Sequence, residues 1–102
     1  MTIEEMESGA DQAVTLLKAM ANRHRLIILC CLQGQELSVG ELNQKIGLSQ
    51  SALSQHLALL RKDELVKTRK EAQTVYYSLS SPDVEAIIST LHRLYCSATE
   101  TV

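Results

Sequence analysis

Apolar residues recur at helical spacing in the first third of the chain. A first helix is predicted over residues 11–21, because one stripe there follows the i, i+3, i+4 spacing: Val14, Leu17, Met20 and Ala21. A second helix is predicted over residues 23–33, where the run Leu26-Ile27-Ile28-Leu29-Cys30-Cys31-Leu32 is apolar on every side. We expect this second helix to be buried and to end at Gly34.

Two shorter helices with distinct inner and outer faces follow. Ser38-Val39-Gly40-Glu41 is a capping box, which predicts a third helix from Ser38 to about Ile46. The segment Gly47-Leu48-Ser49 turns the chain, and Ser49 caps a fourth helix that reaches about Lys62. The fourth helix has an apolar inward stripe, Leu53, Leu57 and Leu60, and a small outward stripe, Gln50, Ser51, Ser54, Gln55 and Ala58.

The period then changes from helical to alternating. Residues 66–71 and 74–79 alternate with Ala72-Gln73 between them, which predicts a two-stranded hairpin. Because Ala72-Gln73 is a weak turn sequence, a longer and mobile tip is expected over residues 70–74. Ser80-Ser81-Pro82-Asp83 is a helix-start signal and predicts a last helix ending at Tyr95 or Cys96. The predicted order is α-α-α-α-β-β-α, a mainly α fold with a small β-hairpin.

Composition fits one domain and removes aromatic base stacking as a binding mode. The chain has 102 residues, 45% of them hydrophobic, with three tyrosines and no Phe or Trp. Taken alone, the formal net charge of −2 argues against binding to nucleic acid, but the charges are distributed unevenly along the chain. Residues 1–12 carry four acids and no base, so the other ninety hold ten basic and eight acidic residues, a sum of +2. We interpret residues 1–10 as an acidic N-terminal extension and residues 11–102 as the folded domain.

The remaining bulk features predict a cytoplasmic protein. No run of apolar residues approaches the length needed to span a membrane, and the acidic N-terminus does not resemble a signal peptide. Three cysteines, of which Cys30 and Cys31 are adjacent, make a poor disulfide framework for a secreted domain. No cofactor is expected.

The third and fourth helices together have the properties of a helix-turn-helix, and the hairpin those of a basic wing. Short polar side chains on an exposed helix can reach base edges and phosphates, and Gln can pair bidentately with adenine. Residues 61–71 hold five basic and three acidic side chains, an excess suited to phosphate contacts. Taken singly, the two segments also fit a solvated helix and a charge-protected edge strand. The candidate DNA-binding residues are Ser49, Gln50, Ser51, Ser54, Gln55, His56, Arg61, Lys67, Arg69, Lys70, Gln73 and Thr74.

Over nearly its full length the chain resembles the ArsR/SmtB-type winged helix-turn-helix repressors. The matching segments are residues 16–22, 25–26, 28–29, 36–42, 66–71, 75–77 and the run Leu48-Ser49-Gln50-Ser51-Ala52-Leu53-Ser54-Gln55-His56-Leu57. Within that family the chain is similar to the thiol- and persulfide-sensing branch typified by BigR, SqrR and HlyU. Its marker is one cysteine in the second helix and one at the end of the last helix, where Cys30 and Cys96 stand.

The resemblance implies a homodimer, held by the first and last helices, that binds an imperfect inverted repeat of double-stranded DNA. Two recognition helices about 34 Å apart would enter successive major grooves. It also implies an inducer that is an oxidant or a reactive sulfur species. Such an inducer would join Cys30 and Cys96 through a disulfide or polysulfide bridge, shift the recognition helices and release the DNA.

Metal sensing is the alternative used by other members of the family. Their third-helix cysteine positions hold Ser38, Gly40 and Asn43 in this chain, so soft-metal ligands are missing there. The positions of their last-helix site, which requires histidines, hold Asp83, Glu85, Cys96 and Thr99. We therefore expect no metal site.

The thiols have further alternatives. His92 and Arg93 can reach the Cys96 sulfur from the same helix and favour its thiolate, whereas the helix C-terminus disfavours a negative charge. Cys30 and Cys31 also fit an inert core, which would leave a thiol-insensitive regulator or an anti-repressor. A thiol enzyme built on Cys96 and His92 lacks a third, orienting residue. The chain is not expected to be an enzyme.

Overall fold

Each helix begins behind a polar side chain that accepts hydrogen bonds from the helix's first N–H groups. The computed structural model describes residues 1–96, so Thr99 lies outside the described residues. The caps are Thr2, Asn22, Ser38, Ser49 and Ser81. The elements in chain order are α1 (Ile3–Met20), α2 (Arg23–Cys31), β1 (Leu37–Ser38), α3 (Val39–Lys45), α4 (Gln50–Lys62), β2 (Val66–Glu71), β3 (Thr74–Leu79) and α5 (Pro82–Tyr95).

The predicted start of the first helix at Asp11 is wrong, because α1 begins at Ile3. Thr2 and Glu5 form a capping box: the Thr2 hydroxyl accepts from the Glu5 N–H at 3.1 Å, and the Glu5 carboxylate accepts from the Thr2 N–H at 3.3 Å. Acidic side chains in the first turn also stabilise the helix, because they lie at the positive end of its dipole. The acidic residues before position 11 are therefore part of a continuous helix.

The mainly α fold with a hairpin wing is confirmed, with one strand more than predicted. The sheet is antiparallel and has the order β1-β3-β2, so the short β1 pairs with β3 through Leu37 and Tyr77. The wing turns over Ala72-Gln73 without the predicted longer tip, since β2 runs to Glu71 and β3 resumes at Thr74. Ala72 makes this tight turn in the left-handed region, at φ 54°.

One apolar core lies between the helices and the sheet. The inward stripe predicted for α4 is confirmed, because Leu53, Leu57 and Leu60 are fully buried. They pack with Ile28 and Leu29 of α2, and α4 contacts both α2 and α3. This packing holds α4 by one side and leaves its opposite face exposed. None of the helices within residues 1–96 has the length and apolar character needed to cross a membrane.

Candidate nucleic-acid interface and thiol pair

The turn between α3 and α4 is fixed by hydrogen bonds around Gly47. The Asn43 side-chain amide donates to the Leu48 carbonyl at 2.8 Å, and the Leu48 N–H donates to the Ile46 carbonyl at 2.9 Å. Ser49 then caps α4 by accepting from the Ala52 N–H at 3.2 Å. The two helices therefore form a rigid helix-turn-helix unit with α4 in the position of a recognition helix.

The exposed side of α4 carries small hydrogen-bonding groups, and we call it the α4 polar face. It lies opposite the buried leucines, at the N-terminal end that reads bases in helix-turn-helix proteins. Ser49 belongs to it but already uses its hydroxyl as the helix cap. Its other members are all exposed: Gln50, Ser51, Ser54 and Gln55.

His56 does not belong to the α4 polar face. Its ring packs against His24 of α2 at 5.7 Å between centroids, its Nδ1 atom is buried, and the side chain is half-buried. Burial lowers the pKa of His56, and the charges of Arg25 and His24 lower it further. His56 thus packs between α4 and α2. The sequence signal for this position is that His56 follows the buried Leu53 by three residues, which places both on one side of the helix.

The wing has two faces with different charge environments. In β2 the side chains alternate, so Lys67, Arg69 and Glu71 share one face, which we call the outer wing face. Lys70 shares the opposite face with the buried Val66 and is exposed near the tip. Gln73 and Thr74 are exposed at the tip itself, and Arg61 is exposed in the last turn of α4.

Arg69 has partners within the protein. Its guanidinium donates to both carboxylate oxygens of Glu36, with a shortest N–O distance of 2.6 Å, and to Glu71 at 3.2 Å. The guanidinium carbon also lies 4.8 Å from the centre of the Tyr76 ring. Sequence reasoning missed Glu36, because no local pattern links it to an arginine in a strand that lies far along the chain.

The structure places the two predicted sensing cysteines on helices that contact each other. Cys30 is half-buried in the last turn of α2, Cys96 is exposed at the end of α5, and these two helices are in contact. Burial raises the pKa of the Cys30 thiol, and the negative charges of Cys96 and then Cys31 raise it further. Cys30 and Cys96 therefore lie on contacting helices, and each carries a reduced thiol.

Cys31 faces another environment. Burial raises the pKa of its thiol, whereas the Lys45 ammonium opposes this shift. Lys45 is on α3, so the cation that affects Cys31 belongs to the helix-turn-helix unit, whereas Cys30 is affected by Cys96 at the end of α5. This agrees with the rotation of about 100° between neighbouring helix positions.

The raised pKa of Cys30 predicts its alkylation behaviour. Only the thiolate reacts, so labelling of Cys30 by iodoacetamide should be slow at pH 7 and reach half its maximal rate above the ordinary thiol pKa of about 8.5. Peptide mass spectrometry over a pH series measures this. In Cys96→Ser the midpoint should move down but stay raised, because burial remains. A midpoint at or below that of a small free thiol would contradict the environment described for Cys30.

Within residues 1–96, no group of three His, Cys, Asp or Glu side chains is placed to hold one metal ion. Of the last-helix metal positions, Glu85 instead accepts a hydrogen bond from the Gly34 N–H at 2.9 Å. Its carboxylate thus fastens the turn after α2 to α5.

Comparison with known proteins places this geometry in a family. The profile of the arsR family of bacterial regulatory proteins matches residues 22–68. The transcriptional activator HlyU of Vibrio cholerae serotype O1 is 64% identical over 100 residues, which cover 98% of this chain and 93% of that protein. A structure of reduced HlyU from V. cholerae N16961 has a TM-score of 0.87 and 66% identity over 92% of this chain and 99% of that chain. The repressor BigR of Xylella fastidiosa has a TM-score of 0.86 and 38% identity over 94% of this chain and 98% of that chain.

These relatives are transcription regulators and not enzymes, and they confirm the predicted resemblance to the branch containing BigR and HlyU. The alignment with HlyU extends over nearly the whole chain, so it includes the helix-turn-helix, the wing and the helices that carry the cysteines. The chain therefore belongs to the arsR family of bacterial regulatory proteins and is a DNA-binding transcriptional regulator with a winged helix-turn-helix fold.

Proposed function

We propose that this regulator is a homodimer whose operator affinity is switched by oxidation or reactive sulfur species at Cys30 and Cys96. The observation that carries the proposal is the contact between α2 and α5, the two helices that carry Cys30 and Cys96, both of which are reduced thiols. Because one protomer supplies both sulfurs, the bridge can form within a single chain. The similar structure of HlyU from V. cholerae N16961, which is that of the reduced protein, supports a redox-dependent role for these thiols.

The exposure of the two thiols suggests an order of reaction. Cys96 is exposed and meets the inducer first, whereas Cys30 is half-buried. With hydrogen peroxide, the Cys96 thiolate attacks an oxygen atom and forms a sulfenic acid with release of hydroxide. The Cys30 thiolate then attacks the Cys96 sulfur, and hydroxide leaves as the disulfide forms. Two thiols are thereby oxidised, and one peroxide is reduced to water.

A polysulfide would reach the same product through a persulfide. The Cys96 thiolate attacks a sulfane sulfur and expels the shortened polysulfide anion. The Cys30 thiolate then attacks the Cys96 sulfur of the persulfide, and hydrosulfide leaves. The bond fixes α2 to α5 in both cases.

We assign base contacts to the α4 polar face and phosphate contacts to Arg61, Lys70 and the wing tip. Glutamines and serines supply donors and acceptors for the major groove, and exposed cations supply the sequence-independent part of the affinity. The proposed operator is an imperfect inverted repeat read by two such faces about 34 Å apart.

The proposed dimer uses α1 and α5. Both helices expose large apolar side chains that a monomer would leave in water: Leu17 is 55% and Val14 46% exposed on α1, and Tyr95 is 79% and Leu94 63% exposed on α5. Since α2 contacts both α5 and α4, a bond between α2 and α5 joins the dimer helices to the helix that carries the recognition surface. A shift of a few Å between the two recognition helices would misalign one half-site.

The test uses an operator selected from a random duplex library by the reduced protein. Operator binding is then measured before and after treatment with polysulfide or peroxide, and mass spectrometry maps the link between Cys30 and Cys96. Loss of binding that follows the yield of the link supports the switch. Full linkage with unchanged binding would identify a thiol-insensitive regulator instead.

A further inference from the structure

We propose that Glu36 is an internal anion that occupies Arg69, so that Arg69 braces the wing and Glu36 limits the affinity for DNA. The inference rests on the proposed DNA interface, in which the wing lies against phosphates. Two of the three wing cations thereby differ in role: Arg69 is used within the protein, and Lys70 is presented to DNA.

The contact between Glu36 and Arg69 has the geometry of a fork-to-fork ion pair. Arg69 Nη2 lies 2.6 Å and Nε 3.1 Å from Glu36 Oε1, and Nε lies 3.2 Å from Oε2. The remaining terminal nitrogen, Nη1, donates to Glu71 at 3.2 Å. All three guanidinium nitrogens therefore donate to carboxylates, in the planar arrangement with which arginine also binds phosphate.

The pair bridges the whole width of the sheet. Glu36 directly precedes β1, Arg69 lies in β2, and β3 runs between these two strands. Tyr76 of β3 is the register partner of Arg69, and its ring lies under the guanidinium. The cation thus joins the outermost strand of the wing to the segment that enters β1.

That segment is held on its other side as well. The Gly34 N–H donates to Glu85 of α5 at 2.9 Å, two residues before Glu36. The Glu36 carboxylate is therefore presented to Arg69 by a fastened turn, so pairing orders little additional chain. Hydrogen bonds from Arg69 lower the pKa of Glu36, and its carboxylate is charged at neutral pH.

The charge of the wing follows from this pairing. Lys67, Arg69 and Lys70 contribute +3, and Glu36 and Glu71 contribute −2, so the net charge is +1. Both side chains of the pair are partly exposed, at 50% for Arg69 and 40% for Glu36, so the pair itself adds little to folding stability. Its main consequence is for binding, because a phosphate approaching Arg69 would have to displace two carboxylates.

The experiment measures operator affinity of reduced protein against salt concentration for the wild type, Glu36→Gln, Arg69→Gln and the double variant. Glu36→Gln is expected to bind about two- to fivefold more tightly, with a salt slope steeper by about 0.9, because Arg69 gains a phosphate contact. Arg69→Gln alone should leave the salt slope at the wild-type value. The double variant should have the same slope as Arg69→Gln, because no arginine is present to gain a phosphate contact. A slope reduced by about 0.9 in Arg69→Gln, with no gain in Glu36→Gln, would overturn the proposal.

Two further variants separate this proposal from the interface on which it rests. Glu4→Gln removes the same charge from the first turn of α1 and should not change the slope, which excludes an effect of net charge. Lys70→Gln should reduce the slope by about 0.9 as an ordinary phosphate contact. If Lys70→Gln reduces the slope but Glu36→Gln does not raise it, the internal-anion role alone is wrong. If neither changes the slope, the wing interface is wrong and the role of Glu36 falls with it.

Discussion

The Cys30→Ser protein is expected to keep its operator affinity after polysulfide treatment, whereas the wild-type protein loses about ten- to hundredfold. This loss lies within the coupling free energy of about 1–3 kcal/mol that is common between a regulatory site and a binding site. The physical reason is that α2 contacts both α5 and α4, so a bond between α2 and α5 would couple the proposed dimer helix α5 to α4. Fluorescence anisotropy with a labelled operator, at one fixed salt concentration, measures both affinities.

Cys31→Ser is the matched control because it makes the same substitution one residue away. Its thiol is affected by Lys45 of α3 and not by Cys96, so the variant should respond to polysulfide as the wild type does. Cys96→Ser should behave like Cys30→Ser, since the bridge needs both sulfurs. Release of DNA by Cys30→Ser after treatment would contradict the two-thiol switch. Loss of the response in Cys31→Ser would show that the thiol that bonds to Cys96 is Cys31 and not Cys30.

The parts of the fold that sequence reasoning located well are those with local signals. Ser38, Ser49 and Ser81 each accept a hydrogen bond from an N–H three residues later, so their effect is contained in a few neighbouring positions. The capping box of Thr2 and Glu5 is a signal of the same kind. The acidic run around it hides this signal, because charge alone predicts an extension there, and the predicted start of α1 at Asp11 is wrong for that reason.

Features that depend on distant partners could not be predicted in this way. The two residues of β1 are a strand only because β3 lies beside them, and two residues carry no period. The pairing of Cys30 with Cys96 is expected from the resemblance to a family and not from any spacing in the chain. The pairing of Arg69 with Glu36 has no signal in the sequence at all, and the predicted contact of Arg69 with DNA rests on charge alone.

Charge distribution also explains why the net charge is a poor guide to this regulator. Thirteen residues of α4 contain two cations, both in its last turn, and no acid. The polar face at its other end is neutral and suited to reading bases, while the cations to which we assign phosphate contacts lie at the edges of the proposed interface. Specificity and electrostatic affinity are thereby assigned to different side chains, which single substitutions can separate.

Gln55→Ala is expected to weaken binding to the selected operator by about five- to 150-fold, the equivalent of about 1–3 kcal/mol for a bidentate contact to a base. Gln55 is exposed in the second turn of α4, one residue from the supporting His56 and two from the buried Leu57. Its backbone is therefore held firmly while its amide faces outward. Binding to a library with single base-pair changes should show relaxed preference at one position of each half-site, because one side chain reads one base pair.

Two controls decide whether that loss is base recognition. Gln12→Ala removes the same side chain from the exposed surface of α1 and should leave affinity and preference unchanged. Lys70→Gln should weaken binding to every sequence alike and reduce the salt slope, since a phosphate contact carries no sequence information. Gln55→Ala should instead keep the wild-type slope and bind non-specific DNA as well as the wild type does. Uniform weakening across all sequences in Gln55→Ala would show that this face contacts the DNA backbone, and the base contacts would then have to come from Gln50, Ser51 and Ser54.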